Sequence, residues 1–202
     1  MKNEFKKFEN FFEFYTDNLI NVAKNLDLKK IEKSSNLIEK TIKNNGTIFV
    51  CGNGGSHAIA NHYVCDYFKV LSQQTKLKVK IKSLCSESAL MSAISNDISY
   101  DDVFLYQAER LMQKGDILIL ISSSGNSKNI KKVLQFTNKK KIKTIGLCAF
   151  NGGYLRRKST IPIYSKINNY GISEDINHII MHLVMQYIKI NNLVKNKKNP
   201  II

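Results

Sequence analysis

The chain has 202 residues, 43% of them hydrophobic, which is typical of one folded domain and excludes a disordered chain. Lysines and arginines outnumber acids by 31 to 16, but only three are arginines and the lysines are spread along the chain. This spread argues against a nucleic-acid surface, while the charge of +15 would attract anionic substrates. The sequence lacks both an apolar run of the ~18 residues that a membrane span needs and an apolar signal segment, which predicts a cytoplasmic protein without a membrane partner.

Two helices are predicted in residues 1–45. Apolar and aromatic residues recur at helical spacing over 4–26, and a second helix is predicted from Leu28 to about Asn45. The apolar face of the first helix is broad, so it packs either across its own domain or against a partner subunit. Strands and helices alternate through residues 46–195, which predicts one α/β domain over 1–202, with a parallel sheet covered on both faces.

The first motif is the glycine-rich segment Gly52-Asn53-Gly54-Gly55-Ser56. It follows a β-branched and aromatic run at 46–50 that predicts a buried strand, and its glycines allow a sharp turn and a close approach to a ligand. Ser56 is predicted to cap a helix whose first N–H groups form an anion site. Farther along this helix, His62 and Asp66 stand four residues apart on one face.

The middle of the chain contains a predicted strand at 78–84, a helix through Ala93 and a further helix to about Gln113. Between the helices lies the pair Asn96-Asp97. Its polar side chains suit either an ordinary turn or contact with a ligand, and local sequence does not separate the two.

The second motif is the segment Ser122-Ser123-Ser124-Gly125-Asn126-Ser127. It follows five consecutive aliphatic residues at 117–121, a run expected for a strand buried on both faces, and it precedes a predicted helix at 128–138. Hydroxyl groups at a helix N-terminus add donors to the backbone N–H groups and suit phosphate oxygens. A flexible serine-rich linker would not follow such a strand.

Two more strands are predicted, at 143–148 and 160–164, with a turn at 150–153 between them. Pro162 places the last strand at an edge of the sheet. A closing helix is predicted to begin at Ser173, and it carries Glu174, His178 and His182 at intervals of four residues along one face.

The candidate reactive groups are His62 and Asp66 on the first helix with Glu174 and His182 on the last. Two imidazoles and two carboxylates fit a divalent metal such as zinc. The same groups also suit acid–base chemistry on a sugar, and both interpretations stay open. His57 and His178 have weaker claims, and either can be a surface residue.

Both motifs resemble those of SIS (sugar isomerase) domain proteins, specifically the phosphoheptose isomerase family. The resemblance implies a three-layer SIS fold, with a mostly parallel five-stranded sheet flanked by helices. It also implies a homotetramer with residues 1–45 in the subunit interface and active sites near that interface. The implied reaction converts sedoheptulose 7-phosphate to D-glycero-D-manno-heptose 7-phosphate through a cis-enediol, toward the heptose of bacterial lipopolysaccharide or capsule.

Residue roles also follow from the resemblance. Asp66 would move a proton between two sugar carbons, and His182 would move one between their oxygens. Zinc would be bound by His62, Asp66, Glu174 and His182. The implied substrate contacts are Asn53, Gly54, Ser56, Asn96, Asp97, Ser122, Ser123, Ser124, Ser127 and Glu174.

The chain departs from the family pattern at several of these positions. Asp66 stands where the family has Glu, Gly171 where it has Asp, Glu174 where it has Gln, and Asn177 where it has His. These changes leave two alternatives open. One is isomerisation of a different phosphosugar, and the other is a non-catalytic SIS protein that binds a protein partner such as the replication initiator.

Overall fold

The computed structural model describes residues 7–194, which form a five-stranded sheet with helices packed against it. The chain also contains a π-helical turn (Tyr67–Leu71) and a 3-10 turn (Tyr100–Asp102). In chain order the elements are α1 (Phe8–Lys24), α2 (Leu28–Lys43), β1 (Ile48–Gly52), α3 (Gly55–Asp66), α4 (Ser72–Gln74), β2 (Ile81–Ser83), α5 (Ser88–Asp97), α6 (Val103–Leu111), β3 (Ile117–Ile121), α7 (Lys128–Lys139), β4 (Lys143–Cys148), α8 (Gly153–Lys158), β5 (Ile161–Tyr164) and α9 (Tyr170–Asn191).

The strand order is β2-β1-β3-β4-β5, and all neighbouring strands are parallel. The predicted five-stranded α/β fold is therefore confirmed. In the register between β1 and β3, Gly52 lies opposite Ile121, so both strands end at the same level of the sheet. The glycine-rich segment and the serine-rich segment consequently leave the sheet side by side.

Burial explains the central position of β1 and β3. Every residue of both strands is buried, as expected for uninterrupted apolar runs in a parallel sheet covered on both faces. Strand β5, which contains Pro162, is at one edge as predicted. Strand β2 forms the other edge and pairs with β1 over only three positions, so it is shorter than the predicted strand at 78–84.

Several local predictions were wrong. The N-terminal cap of α3 is Gly54, with φ 58°. Ser56, the predicted cap, lies within the first turn of α3. Helix α9 begins earlier than predicted because the Asn169 side chain accepts a hydrogen bond from the Ile172 N–H and caps it. Ser173 therefore lies inside the helix. The short helix α8 follows a predicted turn, and helix α5 extends through Asn96-Asp97.

Helices α1 and α2 both pack on α9. Helix α2 buries Ile31, Ile38 and Ile42, whereas Val22 is the one fully buried residue of α1. The outward face of α1 exposes large aromatic side chains, with Phe8 77% exposed. Within residues 7–194, no helix has both the length and the apolar character required to cross a bilayer.

Candidate active site

The glycine turn places a carboxylate over the start of α3. Gly54 adopts a left-handed conformation with open space around it, which a glycine tolerates without strain. A β-carbon on Gly55 would overlap both carboxylate oxygens of Glu174. Glu174 of α9 therefore lies against the first turn of α3, where the helix dipole favours a negative charge.

Asn53 connects the two motifs. Its side-chain amide donates to Asn129 Oδ1 (2.9 Å) and accepts from Asn129 Nδ2 (3.0 Å). The Tyr100 hydroxyl donates to the same Asn53 oxygen at 2.9 Å. Asn129 is 2% exposed and lies in the first turn of α7, directly after the serine-rich segment. Sequence reasoning missed Asn129, and its position beside the second motif was the one available signal.

The serine-rich segment forms a turn between β3 and α7, with Gly125 at φ 63°. Ser122 and Ser123 are buried, while Ser124 and Ser127 are half-buried. The Ser122 and Ser127 hydroxyl oxygens are 3.5 Å apart, and Ser127 occupies the cap position of α7 without a side-chain capping bond. These hydroxyl groups therefore surround the N-terminus of α7, an arrangement suited to an anion.

The start of α9 is bonded to this segment. The Ser173 hydroxyl donates to Ser123 Oγ at 2.8 Å, and both residues are buried. Ser173 was predicted as a helix cap, and it instead fixes the serine-rich turn against α9.

The remaining predicted substrate contacts are Ser56 and the pair Asn96-Asp97. Ser56 is 5% exposed in the first turn of α3. Asn96 and Asp97 are exposed at the end of α5, and the Asn96 amide donates to Asp97 Oδ1 at 2.8 Å. The Tyr100 hydroxyl, a few residues later, connects this region to Asn53.

Three predicted reactive groups lie together farther along α3 and α9. His62 Nε2 is 3.3 Å from Asp66 Oδ1, and His182 Nε2 is 3.2 Å from Asp66 Oδ2. Asp66 has 18% of its side chain exposed, and the two imidazoles are about 40% exposed. One carboxylate is therefore shared by two imidazoles in a position that a ligand from solvent can reach.

A third imidazole, His178, lies beside this group. Its ring centroid is 5.5 Å from that of His62 and 6.2 Å from that of His182. Partial burial, and then the neighbouring His62 and His182, lower its pKa. His178 therefore belongs to a histidine cluster, while His57 lies in the first turn of α3. The spacing of four residues between His178 and His182 was the signal in the sequence that could have placed His178 in this cluster.

Glu174 lies apart from this group. Among the described residues, the donor atoms that approach within 4.8 Å of one another come from His62, Asp66 and His182. Gly55, against which Glu174 packs, precedes His62 by seven residues, a rise of about 10 Å along a helix. The structure thus brings together three of the four predicted metal ligands.

Tyr15 of α1 was not predicted as a site residue. Its hydroxyl donates to Asp175 Oδ2 at 2.6 Å, and this bond is the main cause that raises the pKa of Tyr15 to about 12. A β-carbon on Gly171 would lie 3.0 Å from the Tyr15 oxygen. The first helix therefore reaches the start of α9, at the position where Gly171 replaces the Asp of the family pattern.

The residues at the cluster fit a divalent metal ion. Imidazole nitrogens and a carboxylate are the usual ligands of zinc, and three protein ligands leave a position for substrate. Both Nε2 atoms face Asp66, so one ion between them would meet all three residues. The same geometry allows Asp66 and the histidines to exchange protons.

Comparison with known proteins agrees with this architecture. A model of the SIS domain matches residues 10–149. A protein called phosphoheptose isomerase from Aliarcobacter butzleri is 34% identical to this chain, over 78% of this chain and 83% of the relative. Another protein of that name, from Buchnera aphidicola, is 35% identical, over 80% of this chain and 83% of the relative. A phosphoheptose isomerase structure from Francisella tularensis has a TM-score of 0.80 at 24% identity, covering 90% of this chain and 95% of that one. The chain belongs to the phosphoheptose isomerase family of SIS-domain proteins.

Proposed function

We propose that the protein is an aldose–ketose isomerase that converts sedoheptulose 7-phosphate to D-glycero-D-manno-heptose 7-phosphate, for the heptose of a bacterial surface polysaccharide. The observation that carries this proposal is the meeting of two anion-binding turns at the ends of β1 and β3, with a His/Asp cluster on the helix that follows one turn. The relatives named phosphoheptose isomerase support the same substrate class.

The phosphate group would bind at the N-terminus of α7. Ser122, Ser124 and Ser127 would donate hydroxyl hydrogen bonds, with Ser123 held in place by Ser173. Binding the unreactive phosphate end restricts the position of the sugar, so binding energy there orients the reacting carbons. Asn53, Gly54, Ser56, Asn96, Asp97 and Glu174 would contact the remainder of the sugar.

The reacting carbons would lie at the His/Asp cluster. From the ketose, Asp66 would take a proton from C1 to give the cis-enediol and return it to C2. His182 would transfer the proton of the O1 hydroxyl to O2. The contact between His182 and Asp66 places the two groups close enough to act on adjacent atoms of one substrate.

The proposal includes a divalent ion, zinc, bound by His62, Asp66 and His182. When bound, the ion polarises the C1 and C2 oxygens of the sugar. Asp66 has two carboxylate oxygens, so it can bind a cation with one and accept a proton with the other. Glu174, the fourth ligand predicted from the sequence, would have to move from Gly55 to join them.

We also propose a homotetramer with active sites near subunit interfaces. Phe8 and Phe12 of α1 are 77% and 58% exposed, and a groove of about 310 Å³ between α2 and α9 is lined by Leu28, Leu183 and Tyr187. Burying such side chains contributes about 1.5–3 kcal/mol each. Tyr15 lies on the same helix as the exposed aromatics, so assembly through α1 would lie near the site. Phosphorylated sugars are cytoplasmic metabolites, so we place the enzyme there.

The test is an isomerase assay on sedoheptulose 7-phosphate before and after treatment with a chelator. We expect turnover that is lost on metal removal and restored by zinc. Turnover that survives complete metal removal would assign Asp66 and His182 to proton transfer alone. If an intact oligomer turned over none of the phosphosugars tested, the proposed isomerase activity would be refuted and a partner-binding role favoured.

A second candidate is isomerisation of another phosphosugar. The Gly171 position, which faces the Tyr15 hydroxyl, and the shorter carboxylate at Asp66 would both alter surfaces near the proposed substrate path. A panel of pentose, hexose and heptose phosphates separates the candidates. A higher kcat/KM for a pentose or hexose phosphate would replace the heptose assignment.

A further inference from the structure

We propose that His178 is a metal ligand in this chain, so that the ion is held by His62, Asp66, His178 and His182, with Glu174 outside the set. This inference rests on the proposed metal-dependent function. It concerns a side chain that the sequence comparison with the family did not single out, because the family pattern has its histidine at position 177, where this chain has Asn177.

The helix geometry favours His178. Residues four apart lie on one face of an α-helix, and two histidines at this spacing can bind one metal ion. His178 and His182 have this spacing on α9, and their rings are nearly parallel, with an interplanar angle of 20°. His178 also lies 5.5 Å from His62 on the neighbouring helix, between ring centroids.

The surroundings of His178 leave its nitrogens available. Among the described residues, His178 packs beside the rings of His62 and His182, and neither of its ring nitrogens forms a hydrogen bond. It is half-buried, so a rotation about its side-chain bonds would not have to break a packed core. An imidazole whose nitrogens form no hydrogen bond, beside two metal-facing imidazoles, can thus complete a set of three nitrogens and one carboxylate.

The position of Glu174 argues against its place in this set. Glu174 is eight residues before His182, two turns of α9, whereas His178 is one turn away. Its carboxylate already lies over the first turn of α3, where the backbone N–H groups and the dipole stabilise its charge. To bind the ion, it would have to leave this site. The nitrogens of His178 also lie outside the group of donor atoms within 4.8 Å of one another, but its ring is beside that of His62, so His178 needs a side-chain rotation and not release from an anion site.

The experiment compares two substitutions with a matched control. His178→Gln removes the proposed ligand, Glu174→Ala removes the competing one, and His57→Gln removes an imidazole of α3 outside the cluster. Zinc affinity is measured by competition with a chromophoric chelator, and Co²⁺ binding by its visible absorption. Circular dichroism and the oligomeric state of each variant establish that it is folded.

We expect His178→Gln to weaken zinc binding by at least about tenfold, since even a residue behind a ligand affects affinity by 10–100-fold, and to change the Co²⁺ spectrum. Glu174→Ala and His57→Gln should stay within about twofold of the unchanged chain. The inference is overturned if Glu174→Ala weakens zinc binding while His178→Gln does not.

X-ray absorption at the zinc edge of the unchanged protein gives a test that does not depend on the folding of a variant. Three imidazoles around zinc support the inference, and two contradict it while leaving the proposed metal function intact. A purified protein that binds no zinc or Co²⁺ at all would overturn both. Turnover is measured separately, so that a failure of catalysis is not mistaken for a failure of this ligand set.

Discussion

Replacing Asn129 by alanine should disconnect the two anion-binding turns. The substitution removes both amide hydrogen bonds to Asn53, at 2.9 and 3.0 Å, and the bond from the Ile130 N–H at 2.9 Å. Each hydrogen bond contributes about 0.5–1.5 kcal/mol, and Asn129 is buried, so its partners are poorly compensated by water. We expect the free energy of unfolding to fall by about 2–3 kcal/mol.

Such a change lowers the midpoint of thermal unfolding by roughly 4–12 °C for a domain of this size. Unfolding is measured at one protein concentration, because assembly would otherwise shift the midpoint. The Asn53 side chain, which keeps the bond from Tyr100 but loses both bonds to α7, should also be less well positioned, so we expect a higher KM for the phosphosugar and a kcat/KM reduced about tenfold or more.

Two further variants complete the test of this network. Asn129→Asp keeps the shape and accepts from Asn53 but cannot donate to it, so it should be destabilising as well. Asn138→Ala on the same helix removes one exposed bond to the Lys158 carbonyl and should change stability by less than about 0.5 kcal/mol. If Asn129→Ala matched Asn138→Ala in stability and in KM, the network would have no role in connecting the turns.

Other substitutions test neighbouring contacts. Gly55→Ala should preserve the fold, because this glycine is helical, but should displace the Glu174 carboxylate and raise KM; unchanged kinetics would contradict a substrate site at this turn. Asp175→Asn should lower the pKa of Tyr15 from about 12 toward 10, seen as earlier tyrosinate absorption in an alkaline titration compared with the parent chain. The raised pKa of Tyr15 stabilises the folded chain fully below pH 10, and that contribution should disappear as the pH rises to about 12. Cys65 is the one exposed cysteine, so iodoacetamide should label it first in the native protein, which peptide mass mapping checks. Equal labelling of a buried cysteine would show that the core opens readily.

The order of secondary-structure elements could be predicted because the central strands have an unambiguous pattern. The five aliphatic residues of β3 fit a strand buried on both faces, and Gly52 and Ser122 mark where β1 and β3 end. In a parallel sheet these ends lie at one edge, which follows from the fold class. The two motifs are side by side because β1 and β3 are also neighbours in the strand order, which the sequence did not show.

Helix boundaries were less predictable because several residues near them were equally good caps. Asn169 and Ser173 both carry a side-chain oxygen that can accept from a backbone N–H, and local sequence does not choose between them. Tertiary contacts decide the outcome, because Ser173 is bonded to Ser123 across the site and Asn169 is left to cap α9. The prediction that Ser56 caps α3 was wrong for a related reason, since Gly54, with its positive φ, already occupies the cap position of that helix.

The composition of the cluster was not predictable from either helix alone. Periodicity places Glu174, His178 and His182 on one face, but it does not say which of them meets α3 at the level of His62. Which residue faces His62 depends on how far α9 is shifted along its axis relative to α3, and packing sets this shift. Gly55 lies against Glu174, and Asp66 lies against His182. His178 consequently lies between these two levels.

These contacts also show that α3 and α9 run in the same direction. Both begin near the anion-binding turns, and both carry their imidazoles about two turns later. Seven residues separate Gly55 from His62, a rise of about 10 Å, so a substrate bound at both places must span that separation with its carbon chain. The proposed phosphosugar has its phosphate at one end and its reacting carbons at the other. The proposed phosphate site at the N-terminus of α7 lies beside the start of α3, because β1 and β3 end at the same level. The two parallel helices would therefore select substrates by the length of chain between phosphate and carbonyl, and a one-turn change in the level of the metal ligands would change the length that fits.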